Sequence, residues 1–204
     1  MNRLTVLGSV AGTAVLSLAV LLPARPGSAG PEPSYEGAES CKKCHLKQYK
    51  AWKETKMAKS FETLKPGQAK EAKEKWKLDP AKDYTQEVKC LACHTTGYGK
   101  PGGYPAAGAA WTEEQKKLAA GREGVQCESC HGPGSLTIPI KKDNKEYTID
   151  QIRNLGWQAA DENSCLACHN PDSPTVAPDA KFDFETMHKK DKELHEHVEL
   201  KYKH

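Results

Sequence analysis

The chain has 204 residues, of which 37% are hydrophobic and 28% are charged, and its mean hydropathy is −0.73. So polar a composition cannot supply an ordinary apolar core, and by itself it is typical of disordered proteins. The 30 lysines and arginines nearly balance the 27 acidic residues, which excludes nucleic acid as a sensible partner.

The first 29 residues have the pattern of a secretory signal peptide. A short basic start, Met1-Asn2-Arg3, precedes the largely apolar run 4–22, and Gly27-Ser28-Ala29 is a small-x-small cleavage site. The length of the run makes an uncleaved membrane anchor the alternative, but two prolines before the small residues favour cleavage. We therefore expect a signal peptide at 1–29 and one mature domain at 30–204, exported to the periplasm without stable membrane insertion.

Four copies of Cys-x-x-Cys-His follow, and they use all eight cysteines of the chain. This is the attachment signature of c-type haem: two thiols bind one porphyrin, and the adjacent histidine is the proximal ligand of the iron. The motifs therefore predict four covalently attached haem c groups. The predicted covalent residues are Cys41, Cys44, Cys90, Cys93, Cys127, Cys130, Cys165 and Cys168. The predicted proximal ligands are His45, His94, His131 and His169.

The same cysteines could instead form two zinc sites of four thiolates each, or four disulfides. Neither alternative explains why a histidine follows every pair, so haem attachment is the favoured interpretation. Haem also resolves the conflict in the composition, because each porphyrin adds an apolar disc to the core.

Hydrophobic periodicity predicts short helices joined by long loops. A first helix is expected from the end of the first motif to Pro66-Gly67, since the apolar side chains from Leu46 to Leu64 fall on one side of it. Further helices are expected at 68–77, 111–120, 148–155 and 184–201, with Gly- or Pro-rich loops at 98–108 and 170–178. No segment alternates as a strand. The predicted fold class is mainly α with long loops, a multihaem cytochrome c whose core is dominated by haem.

Distal ligands are scarce outside the motifs. His195 and His197 are about 200° apart around a helix, so a regular helix cannot turn both toward one iron. His188 stands seven residues before His195, on nearly the same face. Each of these histidines could instead be solvated or bonded to a haem propionate. The candidate distal ligands are His195, Met57, His197, His188 and His204.

The chain resembles the tetrahaem cytochrome c-554 family of ammonia-oxidising bacteria over nearly all of the mature domain. The matching stretches are 41–66, 77–104, CESCHGPG at 127–134 and LHEH at 194–197. CESCHGPG, and LDPAKDYTQ within the second stretch, are much more specific than the haem motifs. The resemblance implies a mainly helical fold, haems in closely stacked pairs, and a haem on the second motif that lacks a distal ligand. It also implies that the protein accepts electrons from hydroxylamine oxidoreductase.

Two positions depart from the family pattern. The family has a distal histidine five residues after the tryptophan of the first helix, and here that position after Trp52 is Met57. A ligating Met57 would serve a haem other than that of its own segment and would raise its potential, whereas core packing is the alternative role. The family also has a distal histidine soon after CESCHGPG, but residues 135–147 contain none. That iron is expected to take a C-terminal histidine such as His188 or to remain open.

The leading hypothesis is a diffusible, monomeric electron carrier between a multihaem oxidoreductase, such as hydroxylamine oxidoreductase, and a membrane cytochrome or terminal acceptor. Lysines around the first motif could dock an acidic partner, although a solvated helix face is an equal alternative. They are Lys42, Lys43, Lys47, Lys50, Lys53, Lys56 and Lys59.

Two other functions are open. One is a haem enzyme that reduces nitric oxide or a related nitrogen oxide at an open iron, although no cluster of acids or arginines beside a motif marks a catalytic pocket. The other is a subunit of an extracellular cytochrome filament, in which a histidine of one copy ligates a haem of the next. No catalytic residue is predicted.

Overall fold

The computed structural model describes residues 30–108, 110–143, 147–177 and 181–188, without the side chains of Lys142 and His188. Packing divides the chain into two compact units, Met1–Pro31 and Glu32–His204, and all the elements below belong to the second. The predicted signal peptide at 1–29 lies outside the described residues and stays a prediction.

Short helices make up the regular structure of these described ranges, which contain no strand beyond an isolated bridge between Thr95 and Glu123. The predicted fold class, mainly α with long loops, is confirmed. In chain order the helices are α1 (Ala38–Cys41), α2 (Leu46–Lys53), a 3-10 helix (Ser60–Leu64), α3 (Lys70–Lys75), α4 (Val88–His94), α5 (Glu113–Ala120), α6 (Cys127–His131), α7 (Thr137–Asp143), α8 (Ile149–Arg153), α9 (Glu162–Leu166) and α10 (Phe184–His188).

The long helix predicted after the first motif is wrong in its middle part. α2 ends at Lys53, and the 3-10 helix begins only at Ser60. Thr55 Oγ1 donates to the Trp52 carbonyl at 2.6 Å and accepts from Ala58 N at 3.3 Å. A threonine side chain that bonds to nearby backbone in this way competes with the helical ladder.

A distant segment fixes the shape of this break. The Trp52 indole N–H donates to the Val125 carbonyl at 2.9 Å, and Val125 N donates to the Met57 carbonyl at 3.0 Å. The chain between α2 and the 3-10 helix is therefore bonded to the residues just before the third motif. This contact gives Met57 its position in the fold.

The helices predicted at 68–77, 111–120 and 148–155 exist but are shorter than predicted. α3 begins at Lys70 because Ala69 has a left-handed backbone with φ of 47°. α5 and α8 begin after Thr112 and Thr148, each of which forms a capping box with the glutamine three residues later. α10 is described only as far as His188, so its predicted extension to 201 lies outside the described residues.

The apolar core of the described residues is small and lies beside the second motif. Tyr104 is at its centre, with ring centroids 5.8 Å from Phe61 and 5.5 Å from Trp111. The buried members of this cluster are Phe61, Leu64, Tyr84, Leu91, Tyr104 and Ala119. So small a cluster suits a fold in which haem supplies much of the apolar core.

Candidate haem-attachment sites

Each Cys-x-x-Cys-His motif forms about one turn of helix. In the first and fourth motifs, His45 N and His169 N each donate to the carbonyl of the first cysteine at 2.9 Å. The second motif is the end of α4, and the third motif is α6. Residues three apart share a face of a helix, so the two thiols of each motif point to the same side.

All eight cysteines lie in the described ranges and carry free thiols. Cys44 is exposed and the other seven are half-buried. Paired, accessible thiols of this kind can react with an external partner, whereas fully buried cysteines are inert.

Thiols of different motifs contact one another. Cys41 donates a hydrogen bond to Cys127, which joins the first motif to the third. Cys168 donates to Cys93, which joins the fourth motif to the second. The third and fourth motifs meet where α6 packs against α9. These thiol and helix contacts link the motifs in the order second, fourth, third, first.

These contacts make the free thiols unequal. The hydrogen bond from Cys168 lowers the pKa of Cys93 to about 7, and the bond from Cys41 likewise lowers the pKa of Cys127. Burial raises the pKa of Cys130 to about 11. Because the thiolate is the nucleophile, Cys93 and Cys127 are the more reactive thiols of their motifs before attachment.

The histidines of the second and third motifs are oriented by backbone carbonyls. His94 Nδ1 lies 2.7 Å from the Ser60 carbonyl and 3.3 Å from Thr63 Oγ1, and His131 Nδ1 lies 3.4 Å from the Gln158 carbonyl. A carbonyl only accepts, so Nδ1 of His94 carries the proton and Nε2 keeps its lone pair. Burial lowers the pKa of His94 and so favours the neutral form. Metal-binding histidines commonly have such a second partner.

The other two motif histidines have different surroundings. His45 is half-buried and directly precedes α2. His169 is exposed and stacks on Phe182, with ring centroids 4.9 Å apart and an interplanar angle of 26°.

A buried carboxylate holds the first motif against the third. Glu128, inside the third motif, is only 3% exposed. It accepts hydrogen bonds from Glu36 N at 2.9 Å, from Gly37 N at 2.6 Å and from Gly134 N at 2.7 Å. The segment before α1 and the turn after α6 are thus tied to one side chain. Bonds of backbone N–H groups to a carboxylate are among the stronger hydrogen bonds in proteins.

Gln126 adds a second tie on the other side of Cys127. Its Oε1 accepts from Ala38 N at 2.8 Å, and its Nε2 donates to the carbonyls of Gly121 at 3.1 Å and Glu123 at 2.9 Å. We call Gln126 and Glu128 together the clamp. The clamp bonds to the three consecutive N–H groups of residues 36–38, just before the first motif, and this fixes the packing of α1 against α6.

The loop after the second motif is closely packed. Arg122 Nη2 donates to the Tyr35 carbonyl at 2.9 Å, and its Nε donates to the Gly102 carbonyl at 2.7 Å. A Cβ at Gly103 would lie 1.9 Å from the Gly97 carbonyl oxygen, so only glycine at position 103 allows these two segments of the loop to pack so closely. The roles of Arg122 and of the clamp have no signature in the sequence, although Glu128 lies within the specific stretch CESCHGPG.

The distal candidates lie only partly within the described residues. Met57 is half-buried, and its backbone bond to Val125 places it beside the chain that enters the third motif. The side chain of His188 is not described, and His195, His197 and His204 lie outside the described residues. The distal assignments therefore stay predictions.

The arrangement fits a covalently bound haem at the motifs. Each supplies two free thiols on one side of a helical turn, and the histidines of the second and third motifs direct Nδ1 to a carbonyl so that Nε2 can bind iron. Across the described ranges, no helix is long and apolar enough to span a membrane.

Comparisons with known proteins point to one family. The sequence model described as cytochrome c554 and c-prime matches residues 40–132. The chain is 37% identical to cytochrome c-554 of Nitrosomonas europaea over 189 aligned residues, covering 81% of this chain and 77% of the relative. The solved structure of reduced cytochrome c554 from Nitrosomonas europaea is 34% identical, with a TM-score of 0.67 over 84% of this chain and 89% of that chain.

The clamp should contribute measurably to stability. Glu128→Gln should lower the free energy of unfolding of the haem-loaded protein by about 1–3 kcal/mol. The reason is that the amide NH₂ group cannot accept the hydrogen bonds that a carboxylate oxygen now accepts from backbone N–H groups. Glu54→Gln is the matched control, since the Glu54 side chain is 79% exposed and pairs with Lys59. It should change stability by less than about 0.5 kcal/mol. Denaturant unfolding measures both, and equal effects would show that the clamp bonds do not stabilise the fold.

Proposed function

The chain belongs to the cytochrome c-554 family, and from this membership we propose that it is a periplasmic carrier of electrons between a multihaem oxidoreductase and a membrane or terminal acceptor. Family membership makes it a tetrahaem c-type cytochrome of electron transport, with covalently attached haems. The donor, the acceptor, the periplasmic location and the monomeric state belong to the proposal. Hydroxylamine oxidoreductase is the proposed donor.

The attachment residues are assigned motif by motif. Each cysteine pair binds one haem, and His45, His94, His131 and His169 are the proximal ligands. Bound haem supplies reversible one-electron chemistry. The chain's own residues orient the ligands, as the Ser60 carbonyl does for His94 at 2.7 Å, and place the motifs beside one another.

The contact order of the motifs is the observation that carries this function. Cys93 meets Cys168, α6 packs on α9, and Cys41 meets Cys127, so every motif neighbours at least one other. Haems attached at neighbouring motifs would form one continuous array, with the second and first motifs at its two ends. Electrons entering at one end can leave at the other, as a carrier requires.

The lysine surface at the first motif is the proposed docking site. Lys42 pairs with Glu39 at 3.2 Å and Lys59 pairs with Glu54 at 3.1 Å, whereas Lys47 is exposed on α2. The other members, Lys43, Lys50, Lys53 and Lys56, are exposed as well. A positive surface beside a terminal haem would attract an acidic partner and speed its encounter.

Charge reversal on this surface tests the carrier function. The double variant Lys47→Glu, Lys50→Glu should slow reduction by hydroxylamine oxidoreductase and hydroxylamine by about tenfold at low ionic strength, and the difference should shrink in high salt. Stopped-flow absorbance of the haems measures the rate. Lys116→Glu, Lys117→Glu on α5 makes the same charge change elsewhere and should have a much smaller effect. Equal slowing by both pairs would contradict docking at the first motif, and failure of the unsubstituted protein to be reduced would contradict this donor.

We assign Met57 as the distal ligand of the haem on the third motif. The Met57 carbonyl accepts a hydrogen bond of 3.0 Å from the N–H of Val125, which stands two residues before Cys127. This bond holds the Met57 backbone beside the third motif. Methionine ligation raises the potential of a haem relative to two histidines.

The weak sulfur-to-iron absorbance band in the far red should be present in the oxidised protein and absent from Met57→Ala. Met187→Ala is the control, because Met187 is 37% exposed, and it should keep the band. If the unsubstituted protein lacks this band, or if only Met187→Ala loses it, Met57 does not bind iron and serves only in packing.

A second candidate function, reduction of nitric oxide or a related nitrogen oxide, is supported by the surroundings of the second motif. The close-packed loop at 95–104, which follows this motif, contains no histidine or methionine. The haem at Cys90, Cys93 and His94 is therefore the proposed open one. Nitric oxide titration of the reduced protein should give a nitrosyl signal from about one haem in four. A wholly low-spin oxidised protein that takes up no nitric oxide would exclude both the open iron and the enzyme.

A further inference from the structure

A half-buried lysine follows the third motif in the chain and lies near the first motif. Lys141 belongs to α7, which begins three residues after Gly134. Its Nζ lies 5.6 Å from the centroid of the Tyr147 ring, and Tyr147 is only 3% exposed. The end of the Lys141 side chain is therefore held close to a buried aromatic ring.

The amine lies near the thiols of the first motif. Lys141 interacts electrostatically with both Cys41 and Cys44, and Tyr147 interacts with Cys44 as well. Among the described residues, no carboxylate forms an ion pair with Lys141. Burial without an acidic partner disfavours the charged form of a lysine, because the ammonium loses part of its hydration. Accordingly, burial lowers the pKa of the Lys141 ammonium.

Lys73 shows what a buried lysine does when it has another role. It is 6% exposed and lies over the Tyr84 ring at 5.3 Å, much as Lys141 lies over Tyr147. Its Nζ, however, donates to the Lys65 carbonyl at 2.7 Å, so the hydrogen bond accounts for its burial. No such backbone acceptor accounts for the position of Lys141 in the described part of the chain.

We propose that the neutral amine of Lys141 is the distal ligand of the haem iron attached at Cys41 and Cys44, opposite His45. The ammonium loses one proton to solvent, and the nitrogen lone pair forms the bond to iron. The proposal rests on the attachment sites assigned above and adds a ligand that a search for histidine and methionine cannot find. A primary amine is a nitrogen donor once it is deprotonated, and burial can deprotonate lysine, unlike arginine.

Substitution by arginine separates ligation from charge. Arginine keeps the positive charge, the long stem and the contact with Tyr147, but its guanidinium stays protonated and cannot bind iron. Lys141→Arg and Lys141→Ala should each increase the high-spin ferric signal in electron paramagnetic resonance by the equivalent of one haem. The unsubstituted protein should show a near-infrared magnetic circular dichroism band of a histidine–amine pair, and both variants should lack it.

Two controls keep the result unambiguous. Lys73→Arg alters the other buried lysine and should leave the high-spin signal unchanged. Lys141→Arg with four haems, by intact mass, and no added high-spin signal would overturn the ligand assignment, as would an equal increase in Lys73→Arg. Fewer than four haems in the unsubstituted protein would instead contradict the attachment sites of the proposed function, so the two failures are distinguishable.

Discussion

The buried carboxylate of Glu128 is the contact on which the placement of the motifs depends. A carboxylate that is 3% exposed must be surrounded by donors, and here the donors are backbone N–H groups before the first motif and after the third. Because the bonds are to backbone N–H groups, they fix the path of the main chain itself. Gln126 repeats the arrangement on the other side of Cys127 through Ala38 N, so α1 is bonded to the start of α6 at two places. These bonds hold α1 against α6 and so bring Cys41 close to Cys127.

Polar bonds of this kind explain how so hydrophilic a chain can adopt one structure. The described apolar cluster lies around Tyr104 beside the second motif, and the first and third motifs are joined chiefly by the clamp. Covalently attached haem then adds large apolar surfaces to helical turns that are already in place. Hydrogen bonds to the backbone therefore fix how the motifs are placed against one another, whereas the cofactor supplies the apolar burial.

Local features could be predicted from the sequence and long-range contacts could not. The haem motifs are visible because their function requires a fixed spacing, and the starts of α5 and α8 follow the capping residues Thr112 and Thr148. The break after α2 was missed because it depends on the bond from Trp52 to Val125, which are 73 residues apart. The role of Glu128 was missed for the same reason, since its partner Glu36 is 92 residues away. Lys141 has no ligand signature in the sequence, because only its burial in the fold distinguishes it from the many exposed lysines.

The proposed ligands have a consequence for how the array works. In the contact order second, fourth, third, first, the methionine-ligated haem of the third motif lies inside the array, and the amine-ligated haem of the first motif lies at its end. A thioether favours the ferrous state, whereas a nitrogen donor favours the ferric state, so electrons should collect at the third motif. The first haem, beneath the lysine surface, is then reached from the third by an uphill step. An electron delivered by an acidic partner docked on those lysines would enter at the first haem and pass downhill to the third. The difference between the two ligands, Met57 and Lys141, would set how firmly the electron is then held.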